Sequence, residues 1–152
     1  MIVRPDPPPA SPGAGDSLTL VVDGNNVMGA RADGWWRDRP AAARRLLARL
    51  QCYASRVDHP VVVVFDVPQA DLPEGDHDGV AVRYARRAGR DAADDRIMED
   101  LESDRVTEDL AAGRGRVELV TSDRELARRA RAQGAVVSGA GAFLALLDRT
   151  GC

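Results

Sequence analysis

The chain has 152 residues, 44% of them hydrophobic, and a formal net charge of −3; that length suits one domain, able to bury roughly 70% of the surface its unfolded chain exposes, and leaves no room for a second core. No run of about 18 apolar residues is present to cross a membrane, the N-terminus lacks the charged-then-apolar order of a secretory leader, and negative net charge means that any nucleic-acid partner must be held by a local basic patch. The two cysteines, Cys52 and Cys152, have neither metal-ligand spacing nor the look of a disulfide framework, so a reducing, cytoplasmic location with no membrane contact is expected.

Residues 1–17 are set apart as a disordered tail, because positions 4–16 are rich in Pro and Gly and nearly devoid of large apolar groups, so burial cannot offset the entropy of ordering them. The folded domain is expected over 18–152. Leu18 to Val22 reads as a first strand, and Ala43, Leu46, Leu47, Leu50 and Tyr53 recur at helical spacing within a helix of about 39–56. Val61-Val62-Val63-Val64-Phe65 has no polar alternation, which suits a strand buried on both faces. A Pro/Gly/Asp-rich loop over 68–79 leads to a shorter strand, Val80 to Tyr84. The next helix is expected over 92–112, with Ile97, Leu101 and Leu110 inward and Gly113 as its stop.

Val117 to Val120 makes a fourth strand, and Ser122-Asp123-Arg124-Glu125 has the form of a capping box opening a helix that runs through Ala132. Ala135 to Val137 is a fifth strand, and a short helix over 139–147 closes the domain. Strands alternating with helices predict a three-layer α/β/α sandwich around a central, mainly parallel five-stranded sheet.

In such sheets the ligand crevice lies beyond the carboxyl ends of the strands, and here those ends carry acids. The first strand runs into Asp23, the second into Asp66 and the fourth into Asp123, while Asp94 and Asp95 open the helix after the third. Carboxylates converging at one edge repel one another and raise one another's pKa. A divalent cation relieves that repulsion; Mg²⁺ or Mn²⁺ favours oxygen ligands and can bind a phosphate oxygen, activate water and stabilise a leaving oxygen. Phosphodiester hydrolysis is the chemistry this suggests. Singly, each acid has a plainer use: Asp23-Gly24 as a turn, Asp91 as a cap, Asp94 or Asp95 answering a helix dipole, Asp123 in the first turn after a Ser122 cap, and Asp66 opening a turn before Pro68.

Together, Val22-Asp23-Gly24-Asn25-Asn26-Val27, Ala93-Asp94-Asp95-Arg96-Ile97 and Val120-Thr121-Ser122-Asp123-Arg124 resemble the signature of the NYN domain, particularly its YacP-like branch, within the PIN-like nucleases. The resemblance runs from about Leu18 to Phe143. It implies a PIN-like sheet with the first strand central, a metal-dependent endoribonuclease activity and an acidic site for Mg²⁺ or Mn²⁺. By motif, Asp23, Asp94 and Asp123 are implied as catalytic metal ligands, and Asn26 as a residue that orients Asp23 or contacts a phosphate. Asp66 is a further ligand position, although Val67 stands where the family often has glycine. Asp95 stands where the family commonly has a small polar residue and could assist Asp94, and Glu99 could face the same edge. The number of ions stays open.

All 21 Lys or Arg positions are arginine, which excludes a P-loop lysine, a Schiff-base lysine and a kinase-type lysine. Composition bias accounts for this, although arginine also binds phosphate bidentately where lysine cannot. Arg83, Arg86, Arg87 and Arg90 precede the Asp91 to Asp95 cluster, and Arg124 follows Asp123. With Ser122, Arg86, Arg87, Arg90 and Arg124 are candidate substrate contacts, and a solvated basic stretch is the plainer alternative. Trp35 and Trp36 could stack on an unpaired base or fasten their loop against the first helix. His59 and His77 share no ligand spacing.

The leading expectation is a metal-dependent endoribonuclease acting on RNA, with the ribosome or other RNA-processing machinery as a further partner. Its rivals are an RNA-binding module of the same fold without cleavage and a nucleotide phosphohydrolase using the same acids, and a toxin role stays open.

Overall fold

The computed structural model describes residues 17–89, 92–103 and 115–152. The strands are β1 (Ser17–Asp23), β2 (Val61–Phe65), β3 (Gly75–His77), β4 (Val80–Tyr84), β5 (Gly115–Val120) and β6 (Val136–Ser138). The helices are α1 (Gly24–Met28), α2 (Arg39–Ala54), α3 (Ala92–Leu101), α4 (Arg124–Ala132) and α5 (Ala140–Arg149), with one 3₁₀ turn over Trp35–Arg37. The tail expected over 1–17 lies outside the described residues except Ser17, which enters β1. The helix expected over 92–112 ends at Leu101, with Glu102 and Ser103 in a turn beyond it; the remainder, with Leu110 and the Gly113 stop, lies outside the described residues.

The sheet order is β3-β4-β2-β1-β5-β6, so β1 is central. All neighbours pair in parallel except β3, which runs antiparallel to β4. Successive strand side chains point to opposite faces, and the core divides accordingly. Leu20, Val22, Val61, Val63 and Phe65 pack with α1, α2 and α5, through Val27, Leu46, Leu50, Phe143 and Leu147. Val21, Val62, Val64 and Leu119 pack with α3 and α4, through Ala93, Ile97, Leu126 and Ala130. Both faces of β2 are therefore covered, as its unbroken apolar run requires.

Six strands replace the five expected. The stretch read as a loop over 68–79 contains β3, a polar Gly-Asp-His segment that pairs only at the edge of the sheet. Its connection to β4 is Asp78-Gly79, with φ of 50° and 92°, as a two-residue type I′ hairpin requires. The Asp-Gly pair was the available signal, and the absence of β-branched residues before it hid the strand.

The cysteine expectation is overturned too. Cys52, on the last turn of α2, and Cys152, just beyond α5, form a disulfide with Cα atoms 5.6 Å apart and a sequence separation of 100. Their two helices share one face of the sheet, and Arg49 on α2 reaches Asp148 at 2.6 Å and the Cys152 carbonyl at 2.9 Å. Cysteine usage therefore does not argue for a reducing compartment. No helix among the described residues is long and apolar enough to cross a membrane.

Candidate active site

From β1 the chain proceeds to β2 and β4 on one side and later to β5 and β6 on the other. The order reverses at β1, and the crevice beyond such a switch point is where open α/β sheets bind ligands. Asp23 is the last residue of β1, Asp66 follows β2, and Thr121 to Asp123 follow β5.

Asp23 is buried, with 4% of its surface exposed. Thr121 Oγ1 donates a 2.8 Å hydrogen bond to Asp23 Oδ2 and accepts one at 3.1 Å from the Asp123 backbone N–H. One buried hydroxyl thus links the acids after the two central strands. Burial pushes the Asp23 carboxyl up to about 6, and the nearby charges of Asp66 and Asp123 push the same way, against the lowering influence of Thr121 and the Asn26 backbone. Thr121 went unmarked in the sequence, because a threonine at a strand end reads as an ordinary β residue.

The three residues after Asp23 each have a structural reason. A Cβ on Gly24 would lie 2.6 Å from two carbons of the Phe65 ring and 2.9 Å from the Val64 carbonyl oxygen, so α1 can approach the end of β2 only with glycine there. Asn25 Oδ1 accepts from the Asp66 N–H at 2.8 Å, and Asn26 Oδ1 accepts from the Ser122 N–H at 2.8 Å. Neighbouring residues of one helix turn point in different directions, so the pair ties the end of β1 to both adjacent strands. Asn26 therefore positions the turn carrying Ser122 and Asp123. Asn25 does the same for Asp66, a role that a bare sequence gives no reason to assign.

Asp123 differs from its expected place. It is itself the N-cap of α4, its Oδ1 accepting from Leu126 N at 3.0 Å, so the capping box expected from Ser122 does not form. The Ser122 hydroxyl instead accepts from Ala140 N at 2.9 Å, at the start of α5. The Asp side chain reaches its N3 amide from the residue directly preceding the helix, and Ser122 is one position too early.

Asp94 and Asp95 lie in the first turn of α3, both partly buried. Asp95 pairs with Arg87 and, at 3.8 Å, with Arg129 of α4, and Arg86 pairs with Glu99 at 2.6 Å. Arg83 pairs with Asp100 at 2.5 Å. Arg90 lies outside the described residues, and Arg124 is exposed. Among the described residues no three acidic, histidine or cysteine side chains gather tightly enough to hold an ion by themselves. Mg²⁺ and Mn²⁺ commonly take one or two carboxylates and fill the shell with water and substrate phosphate.

Among the described residues, hollows flank the acids that follow β2 and β5. On the β5 side a depression of about 380 Å³ is lined by Thr121, Asp123, Arg124, Arg131 and Gly139 among others. On the β2 side a cavity of about 290 Å³ is lined by Asn25, Met28, Arg39, Phe65, Asp66 and Gln69 among others. Trp35 packs on the core, as the plainer reading of the loop expects, whereas Trp36 is 50% exposed.

A family model described as the YacP-like NYN domain matches residues 20–151. Two solved structures are similar: Rae1 (YacP) from Bacillus subtilis, at 25% identity and a TM-score of 0.66, over 87% of this chain and 74% of that one, and its W164L mutant, at 24% identity and a TM-score of 0.65, over 87% and 76%. No curated protein matches the chain.

Proposed function

This chain belongs to the YacP-like NYN domain family, and from that premise we propose that it is a metal-dependent endoribonuclease, hydrolysing RNA phosphodiester bonds at the acidic edge around Asp23. The observation that carries the reading is the buried Asp23 carboxylate at the switch point, joined to Asp123 through Thr121 and raised by its burial and, less, by Asp66 and Asp123. A buried acid whose neighbours are like charges is poised to accept a cation.

Asp23 and Asp123 are the proposed principal ligands, with Asp66 and Asp94 completing the acidic edge. The ion, Mg²⁺ or Mn²⁺, would supply charge neutralisation for the scissile phosphate and its leaving oxygen. Thr121 fixes the Asp23 rotamer through Oδ2, and the α4 cap commits Asp123 Oδ1, so Oδ2 is the oxygen Asp123 would present. Asp95, held by Arg87 and Arg129, acts as a positioning residue between α3 and α4. Arg124 and Arg131, on the rim of the β5-side hollow, would hold phosphates flanking the cleaved bond. A net charge of −3 gives little long-range attraction for free RNA, so free RNA is expected to be cleaved slowly, and the ribosome or other RNA-processing machinery is proposed as a further partner that would speed the encounter.

The test incubates the purified full chain and its Asp23→Asn variant with mixed structured and single-stranded RNAs in Mn²⁺, Mg²⁺ or chelator. Cleavage by the wild type, abolished by chelator and lowered at least about a hundredfold in the variant, is expected, because the ion supplies several kcal/mol. RNA binding without cleavage, indifferent to metal and to Asp23→Asn, would replace this reading with that of a binding module.

A further inference from the structure

We propose that the cavity on the β2 side of the acids is a subsite for one unpaired nucleobase of the RNA strand, its hydrogen-bond acceptors facing Arg39, Gln69 and Asn25. The inference rests on the nuclease reading and deepens it, by assigning what holds the nucleotide next to the acidic edge.

The cavity's position is the first reason. Asn25 and Asp66 are two of its wall residues; Asn25 lies two residues after Asp23, and Asp66 follows β2, whose end pairs with β1 beside Asp23. A strand whose phosphate reaches Asp23 therefore brings an adjacent base to this opening. Size is the second reason: about 290 Å³ lies at the small end of the roughly 300–1,000 Å³ typical of ligand pockets, suited to one planar ring system. Chemistry is the third. The floor and sides are apolar, from Phe65, Met28 and Ala43, with Pro40, Val67 and Pro68 toward the surface, and Val67 is left 69% exposed. Bases have two flat faces that such surfaces cover, whereas a phosphate or a sugar gains nothing from them.

The polar groups on the rim have donors to spare. Asn25 Oδ1 is taken by the Asp66 amide and Gln69 Oε1 accepts from Arg44 Nη1 at 3.3 Å, which leaves each side-chain NH₂ group outward as a donor. Among the described residues neither NH₂ group has an acceptor and Arg39 has no carboxylate partner. The Arg39 guanidinium instead lies over the Trp35 ring, 5.3 Å from its centroid, a contact that restrains the side chain while leaving its N–H edge unused. Uracil and guanine, whose ring carbonyls are acceptors, match a rim of donors.

Methyl NMR of the full-length Asp23→Asn protein in chelator isolates the subsite from catalysis. Uridine and guanosine monophosphates are titrated against ribose 5-phosphate, which carries the same charge without a base. Saturable shifts of the Met28, Ala43 and Val67 methyls are expected with at least one nucleotide and not with ribose 5-phosphate. Arg39→Ala, at an exposed position, and Gln69→Ala, at a half-buried one, are expected to weaken that binding about three- to tenfold each. Equal shifts with ribose 5-phosphate, no shift with either nucleotide, or indifference to both substitutions would overturn the subsite. Wild-type cleavage of RNA in Mn²⁺, measured alongside, reports on the nuclease reading separately, so either can fail while the other stands.

Discussion

The two flanks of the acidic edge are built from the same turn and differ in what they leave uncommitted. On the β5 side, the Thr121 hydroxyl, the Ser122 amide and hydroxyl, and the Asp123 amide and Oδ1 are all engaged in fixing the ends of β1, α4 and α5. On the β2 side, one backbone amide is tied down by Asn25, and the remaining surface sets apolar side chains and the Asp66 carboxylate beside donors on the rim. The contrast teaches that the β5 flank is organised to hold carboxylates rigidly, and the β2 flank to leave room.

Breaking the disulfide should have the largest effect and fall on the sheet face that carries α2 and α5. Cys52 ends the helix whose other end supplies Arg39, Pro40 and Ala43 to the β2-side cavity. A closed loop of about 100 residues contributes up to roughly 4–5 kcal/mol in the chain-entropy treatment. Cys52→Ser, or reductant, is expected to lower the melting temperature and speed hydrogen exchange in α2 and α5 more than in α4. Uniform loosening would mean that the two faces of the sheet are not separately supported.

The next largest effect tests Asp23, the buried acid between the two flanks. Its carboxyl is raised from 3.8 to about 6, so the folded state holds the proton more tightly than the unfolded chain. Stability of the metal-free protein therefore falls as pH rises from about 4 to 6, by at most roughly 3 kcal/mol, and stays lowered above that. Asp23→Asn, which can still accept from Thr121, is expected to stabilise the protein in chelator at pH 7 to 8 and to give no gain below about pH 4. Urea denaturation across this range measures it, and a pH-independent difference would contradict the assignment.

Gly24→Ala comes next. Its Cβ would meet the Phe65 ring and a β2 carbonyl, at about 1–3 kcal/mol for overpacking, and it should displace Asp66 relative to Asp23. Chemical denaturation gives the first, and loss of activity beyond the loss of folded protein gives the second.

The smallest effects separate the flanks most cleanly. Asn25→Ala frees the Asp66 amide and Asn26→Ala frees the Ser122 amide, each at about 1–2 kcal/mol. Amide exchange should accelerate at Asp66 in the first variant and at Ser122 in the second. Acceleration of both amides in both variants would show that the turn opens as a unit.

Much of this was legible beforehand, for reasons specific to each element. The β2 run of valines announced a two-sided strand, and it is buried throughout. The spacing of Ala43 to Leu50 placed α2 with its first residue correct. Acids at strand ends pointed to the edge that carries Asp23, Asp66 and Asp123. By contrast β3 lacked apolar residues, the Asp123 cap depended on which of two neighbouring polar residues met the Leu126 amide, and Arg86, Arg87 and Arg83 found carboxylate partners on α3 that no local pattern connects to them.

The sequence by itself determined the alternation of strands and helices, the acids at the sheet's carboxyl edge and the family signature, because periodicity and strand-end chemistry are local. Only the tertiary structure decided that Cys52 meets Cys152, that Thr121 joins Asp23 to Asp123, that Asn25 and Asn26 serve opposite neighbours, and that an apolar cavity opens beside Asp66. Each of these depends on which elements become neighbours across long stretches of chain, and that is set by packing the two faces of the sheet.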